Sequence, residues 1–126
     1  MNSEDLRQID ATDLLAEYNS GARDFRSIEL PERTDLRGAN LTGAVFDDSW
    51  LSEVDFSDSN LSGASLRNSH LKCCTFDRAN LTRADFRDSA IDGATFAGAR
   101  IDETLLEGAS AYGYRFKEGY GHSLVT

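Results

Sequence analysis

Residues 36–66 read LRGANLTGAVFDDSWLSEVDFSDSNLSGASL, and a large apolar side chain falls at every fifth position: Leu36, Leu41, Phe46, Leu51, Phe56, Leu61 and Leu66. The same period continues without a miss through Leu71, Phe76, Leu81, Phe86, Ile91, Phe96, Ile101 and Leu106. Two residues before each large residue sits a small or short one, as at Ala39, Ala44, Ser49, Val54, Ser59, Ala64, Ser69, Cys74, Ala79, Ala84, Ser89, Ala94 and Ala99. Repeats of this kind decide a fold before any single helix or strand is considered.

A step of five rotates each apolar residue well off the last one on an α-helix, so the pattern would smear around the helix and leave no stripe. A continuous strand fails too, because five is odd and successive large residues would point to opposite faces. The chain therefore turns within every repeat. If the small and large residues point inward and the residue between them outward, the other two form a corner, and each repeat is one side of a coil. Gly38, Gly43, Gly63, Gly93, Gly98 and Gly108 occupy the last corner position, where positive φ is often required. Asp58, Asn68 and Asp88 tolerate it. Glu53, Arg78, Arg83 and Glu103 fit it less well, which predicts more than one turn type.

The units ANLTG (39–43), SNLSG (59–63), ANLTR (79–83) and ADFRD (84–88) resemble the pentapeptide-repeat family, and the resemblance runs unbroken over residues 34–108. It implies an all-β solenoid, a right-handed quadrilateral β-helix in which four pentapeptides complete a coil. By that rule Leu36, Phe56, Phe76 and Phe96 stack in one inward column, with Phe46, Leu66, Phe86 and Leu106 opposite. The columns Leu41, Leu61, Leu81, Ile101 and Leu51, Leu71, Ile91 hold no phenylalanine, an alternation that itself supports an even number of sides. About four coils spaced roughly 4.8 Å apart make a rod on the order of 18 Å long.

Three segments of one domain are expected. Residues 1–33 form a capping helix and an imperfect first coil, residues 34–108 the β-helix, and residues 109–126 an aromatic and glycine-rich capping tail. In DATDLLAEYNSG, Asp10 or Thr12 is placed to cap a short helix with Leu14, Leu15 and Tyr18 on its apolar side, ending at Gly21. GARDF and Leu30 then lie one residue out of phase, with Pro31 in the interruption, and LLAEYNSGARDF resembles the leader of cyanobacterial family members. The tail carries Tyr112, Tyr114, Phe116 and Tyr120, read as aromatics packed over the last coil. Larger members of the family that act on topoisomerases dimerise end to end through this region, so the resemblance offers a dimer interface as the alternative to a monomer.

Of 126 residues, 22 are acidic and 13 basic, a formal net charge of −9. Within 34–108, seven basic and thirteen acidic residues leave −6, so no basic face exists to neutralise phosphates and direct nucleic-acid binding is disfavoured. No apolar run resembles a signal peptide or a membrane span, and the adjacent Cys73 and Cys74 could close a disulfide only with strain, so a cytoplasmic protein off the membrane is expected. No converging nucleophile, base and orienting group is visible, and neither His70 nor His122 has metal-ligand spacing to the cysteines. The expectation is a protein without catalytic activity, cofactor or metal.

What remains is recognition of a protein partner, which a rigid solenoid face suits. Trp50 takes an outward position where the family usually has Asp or Asn, in register with His70 and Ala90 and beside Val45 and Leu105. Trp50, His70 and the tail aromatics are the candidate contacts, unless the N-terminal segment folds over Trp50. Some family members resemble acidic duplex DNA and occupy a type II topoisomerase, which makes mimicry the alternative function. Roughly ten charges line 18 Å of duplex, against −6 here with seven basic residues interspersed. Asn40, Asn60 and Asn80 should form an amide ladder, and Asp47, Asp48, Asp85 and Asp88 a solvated acidic face in preference to a cation site.

Overall fold

The computed structural model describes residues 3–117, so Tyr120 and His122 lie outside the described residues. A 3-10 turn over Ser3–Asp5 is followed by β1 (Arg7–Gln8), α1 (Ala11–Asn19), β2 (Ile28–Glu29) and then the repeat coils. A hairpin of β3 (Ser110–Ala111) and β4 (Tyr114–Arg115) ends the described chain.

Each outward residue of the repeat makes a parallel bridge to the residue twenty positions on, which sets four repeats to a coil. Four outward columns result. The first side carries Asp35, Asp55, Thr75 and Thr95, and the second Asn40, Asn60, Asn80 and Arg100. The third carries Asp24, Val45, Ser65, Asp85 and Leu105, and the fourth Glu29, Trp50, His70, Ala90 and Ser110. The first rungs of the third and fourth sides are offset by 21, because Leu36 follows Leu30 by six residues through the Pro31 interruption.

The inward large residues from Leu36 to Phe96, and Leu106, are buried. Phe56, Phe76 and Phe96 stack at 5.2 Å between successive centroids, and Phe46 and Phe86 meet this column edge-on from the opposite side. Ile101 departs from the rest: it is half-buried, since among the described residues no further rung covers its column. Asp10 is the N-cap of α1, its carboxylate accepting the Asp13 N–H at 2.8 Å. Leu14 and Tyr18 are buried against the coils, and the Tyr18 hydroxyl donates to Thr42 O at 2.7 Å.

The corners differ from expectation in an instructive way. Glu53, Arg78, Arg83 and Glu103 adopt φ of 57° to 62°, much like the glycines, and their corners close with the same hydrogen bond from the inward small residue to the carbonyl three back. The corners that open lie elsewhere, at 25–28, where Ile28 N–H donates to Ser49 Oγ and the Ser49 hydroxyl to Phe25 O, and at 46–49 and 66–69. There the Ser49 and Ser69 N–H groups donate to Ser69 Oγ and Ser89 Oγ of the next coil, and the Ser69 and Ser89 hydroxyls donate back to Phe46 O and Leu66 O. A buried hydroxyl needs partners, and a serine column supplies them by borrowing the bonds of the turn.

The asparagine column is also corrected. The side-chain oxygens of Asn40, Asn60 and Asn80 accept the N–H two residues on, at 3.0 to 3.2 Å, so each caps its own corner and the carbonyls are not spent on a ladder between coils. Asp24, Asp35, Asp55 and Asp85 do the same. This local bond is the physical reason for Asp or Asn at the outward position. Where that position is Ser65, Thr95 or Ser110, an aspartate of the preceding coil, Asp47, Asp77 or Asp92, accepts the corner N–H instead.

Candidate interaction face

The fourth side has no Asp or Asn at any rung. Its ladder bonds are nevertheless complete around Trp50, whose N–H donates to Ile28 O while Leu51 N–H reaches His70 O. Consecutive rungs put the two rings face to face, 3.8 Å between centroids and 6° from parallel. His70 is further held by Ser52, whose hydroxyl lies 2.5 Å from Nδ1. Burial, and then the Lys72 charge, push the imidazole pKa below its ordinary value, against the opposing pull of Asp92. The ring pair is thus half-buried, uncharged near neutral pH and rigid.

Beside the stack lies a depression of about 170 Å³ lined by Trp50, Asn68, Ser69, His70, Asp88 and Ala90. The opened corner at 66–69 forms one of its walls. The N-terminal helix does not supply the neighbouring rung. That place belongs to Glu29, which accepts from Gln8 Nε2 at 2.7 Å.

The other candidate contacts lie apart from the ring stack. Val45 and Leu105 stand on the third side with Ser65 and Asp85 between them, so they do not extend an apolar strip from Trp50. Of the tail aromatics among the described residues, Phe116 packs against the core, whereas Tyr112 and Tyr114 are 80% and 61% exposed. The hairpin explains this, because Tyr112 and Gly113 form its two-residue turn with φ of 51° and 83°, which carries Tyr112 to the tip. The carboxylates Asp47, Asp48 and Asp85 are engaged by Arg67 N–H, Asn68 Nδ2 and the Arg87 guanidinium respectively, each at 2.8 to 3.0 Å. Cys74 is buried with its thiol pushed up to about 12, chiefly by desolvation, whereas Cys73 is exposed at a corner.

The model for pentapeptide repeats matches residues 32–58, 49–88 and 59–98, with eight copies. The chain belongs to the pentapeptide-repeat family. Its coils are accordingly those of a right-handed quadrilateral β-helix. Among solved structures it is similar to the pentapeptide repeat protein Rfr23 from the cyanobacterium Cyanothece 51142, at 25% identity and TM-score 0.67, covering 70% of this chain and 59% of that one. It is similar also to a pentapeptide repeat protein from the Arabidopsis thaliana thylakoid lumen, at 29% identity and TM-score 0.67, covering 70% of this chain and 61% of that one. The chain thus spans about three fifths of the length of each. A search among curated proteins returns no match to the sequence.

Within a family built on outward Asp and Asn, the Trp50–His70–Ala90 column is a local departure. Sequence reading located Trp50 and His70 but missed Ser52, Asn68 and Asp88 as their neighbours. A signal for them existed: once four repeats make a coil, Ser52 lies one coil before Lys72, and Asn68 and Asp88 are successive rungs of the corner leading into His70 and Ala90.

Proposed function

We propose that this pentapeptide-repeat protein is a non-enzymatic scaffold that docks a protein partner on its fourth side, with Trp50 and His70 as the anchor. The parallel ring stack at 3.8 Å carries the reading. An aromatic pair already ordered before binding loses little rotamer freedom on contact, and rigid tryptophans are the residues around which interface energy concentrates. It stands where a corner-capping Asp or Asn would otherwise be, so local fold chemistry does not account for it.

Nucleophilic catalysis by the Ser52–His70 pair finds little support. Ser52 is only 8% exposed, and attack requires an accessible oxygen with donors placed for the developing oxyanion. The hydroxyl serves better to fix the imidazole plane. The duplex-mimic alternative is weakened by ion pairs: Asp24, Asp35, Asp58 and Asp85 each hold an arginine at 2.8 to 3.0 Å, which breaks up a continuous negative face. The exposed Tyr112 and Tyr114 favour a secondary contact at the C-terminal hairpin, either with the same partner or with a second copy. In this reading α1 and the hairpin close the two ends of a cytoplasmic, otherwise monomeric rod of about four coils.

Affinity capture with the intact protein, Trp50→Asp and Tyr114→Asp tests the proposal. A protein retained by the intact chain and by Tyr114→Asp, but lost with Trp50→Asp, is expected. Retention by all three overturns the assignment of the fourth side, and loss only with Tyr114→Asp transfers it to the hairpin.

A further inference from the structure

The ring stack of the fourth side ends at His70. Trp50 covers one of its faces, and the next rung is Ala90, whose methyl group leaves a depression of about 170 Å³ against both His70 and Ala90. Backbone rungs are about 4.8 Å apart, so a flat group above Ala90 lies within stacking distance of the imidazole. A cavity of about 150 Å³ holds a single benzene ring, and the depression is of that size.

The polar side chains around the depression are bonded or turned elsewhere. Asn68 Nδ2 donates to Asp48 at 2.8 Å, and the Ser69 hydroxyl lies 3.0 Å from both Phe46 O and Arg67 O. The Asp88 carboxylate packs over the bare α-carbon of Gly108, where a Cβ would collide with its Oδ1, in the recess that it shares with Arg115 and Lys117. His70 Nδ1 is taken by Ser52 Oγ. Of the nearby cations, Arg67 and Arg87 both turn to Asp85, at 3.8 and 2.8 Å. Lys72 acts on the imidazole more strongly than Asp92 does, but both stand on the opposite corner of the fourth side and neither lines the depression. An ion of either sign would therefore leave water for a place with no counter-ion directed into it. An uncharged ring has no such penalty, and it gains a stacked face on His70 while covering the Ala90 methyl.

We infer that the depression over Ala90 receives a phenylalanine or tyrosine ring of the protein partner, stacked on His70 as the third member of the column begun by Trp50. This rests on the fourth side being the docking face. The match is one of charge as well as shape, an uncharged ring on a floor whose polar side chains are already engaged. A nucleobase presents a similar flat face, but its phosphates would approach a chain of net charge −9.

The test uses the intact protein and N-acetyl-phenylalanine amide, followed by NMR through the His70 ring protons and the single Trp50 indole. Saturable upfield shifts of the His70 ring protons are expected, because a ring stacked face to face shields them, with a dissociation constant on the order of 10 mM for so small a probe. N-acetyl-arginine amide, flat but charged, and N-acetyl-leucine amide, apolar but not flat, should each bind roughly threefold more weakly or worse. Asp88→Asn keeps a residue suited to the φ of 62° at that corner and should leave the phenylalanine affinity unchanged, since the carboxylate faces Gly108. Ala90→Phe fills the depression from within, and should abolish both the probe shifts and the capture of the protein that Trp50 retains. Equal or tighter binding of the arginine, leucine or an adenosine probe, shifts that are not upfield, or loss of binding in Asp88→Asn overturns the inference, even if Ala90→Phe fails to fold. Absence of phenylalanine shifts while capture still depends on Trp50 removes the stacked ring alone. Phenylalanine shifts without any Trp50-dependent capture remove the docking face, and the partner's ring with it.

Discussion

Phe76 lies between Phe56 and Phe96 with both centroids 5.2 Å away, and takes an edge contact from Phe86 at 5.3 Å. Its replacement by alanine removes the middle of the aromatic column, and a sealed coil has little freedom to collapse into the space. Phe76→Ala should therefore cost about 3–5 kcal/mol in urea unfolding, with the m-value unchanged. The same scale decides the behaviour of His70. Its pKa in the folded chain is below that of free imidazole, so the unfolded chain binds the proton more readily. The stability it contributes is complete above about pH 6.5 and is lost as pH falls through the lower folded value. Protonation also places a charge against the only tryptophan, 3.8 Å away, and an imidazolium quenches indole emission. Trp50 fluorescence should fall with a midpoint below pH 6.5, and His70→Gln should remove the transition while leaving emission high.

At the scale of the corner, a single conformation is imposed on unlike residues. Arg83 holds φ of 57° because the ladders on both flanks leave the turn no other course, and a side chain in that region costs about 1 kcal/mol relative to glycine. Arg83→Gly should raise stability by about 0.5–1 kcal/mol in the same urea titration, against the usual direction for a mutation to glycine. The serine corners predict the reverse. Ser69 Oγ accepts from Ser49 N–H and donates to Phe46 O, so Ser69→Ala leaves a buried donor and a buried acceptor without each other. A loss of about 1–3 kcal/mol is expected, and the Ser59→Ala change should be milder, because Ser59 Oγ is buried with no hydrogen-bond partner.

Across the whole molecule the acidic residues act through their partners and not as a bulk field. The Arg26 and Arg37 guanidiniums hold the carboxyls of Asp24 and Asp35 down to about 2. A depressed carboxyl contributes stability that is present above its unfolded pKa near 4 and disappears as pH falls toward 2. Unfolding midpoints should decline over that interval. Because these pairs are exposed, the decline should shrink in 1 M salt, where screening is nearly complete over about 3 Å. An equal acid loss in high and low salt would place the sensitive carboxyls elsewhere.

The period of five, written into Leu36 through Leu106, was enough by itself to exclude a helix and a flat strand and to assign the inward residues. Local chemistry dominates such a fold, since each repeat makes the same turn and buries the same two positions. The outward Asp and Asn residues were equally legible as a family pattern, although their purpose was not. Only the folded chain reveals that each carboxylate or amide caps the corner two residues on, and that Asp47, Asp77 and Asp92 cap the next coil where the local residue cannot. The tertiary structure alone decided matters that depend on residues twenty apart in sequence meeting across a rung. Those are the opening of the corners at Ser49 and Ser69, the contact of Ser52 with His70, and the half-exposed Ile101 at the end of its column. A five-residue window specifies a turn, and it takes the stacking of coils to specify a surface.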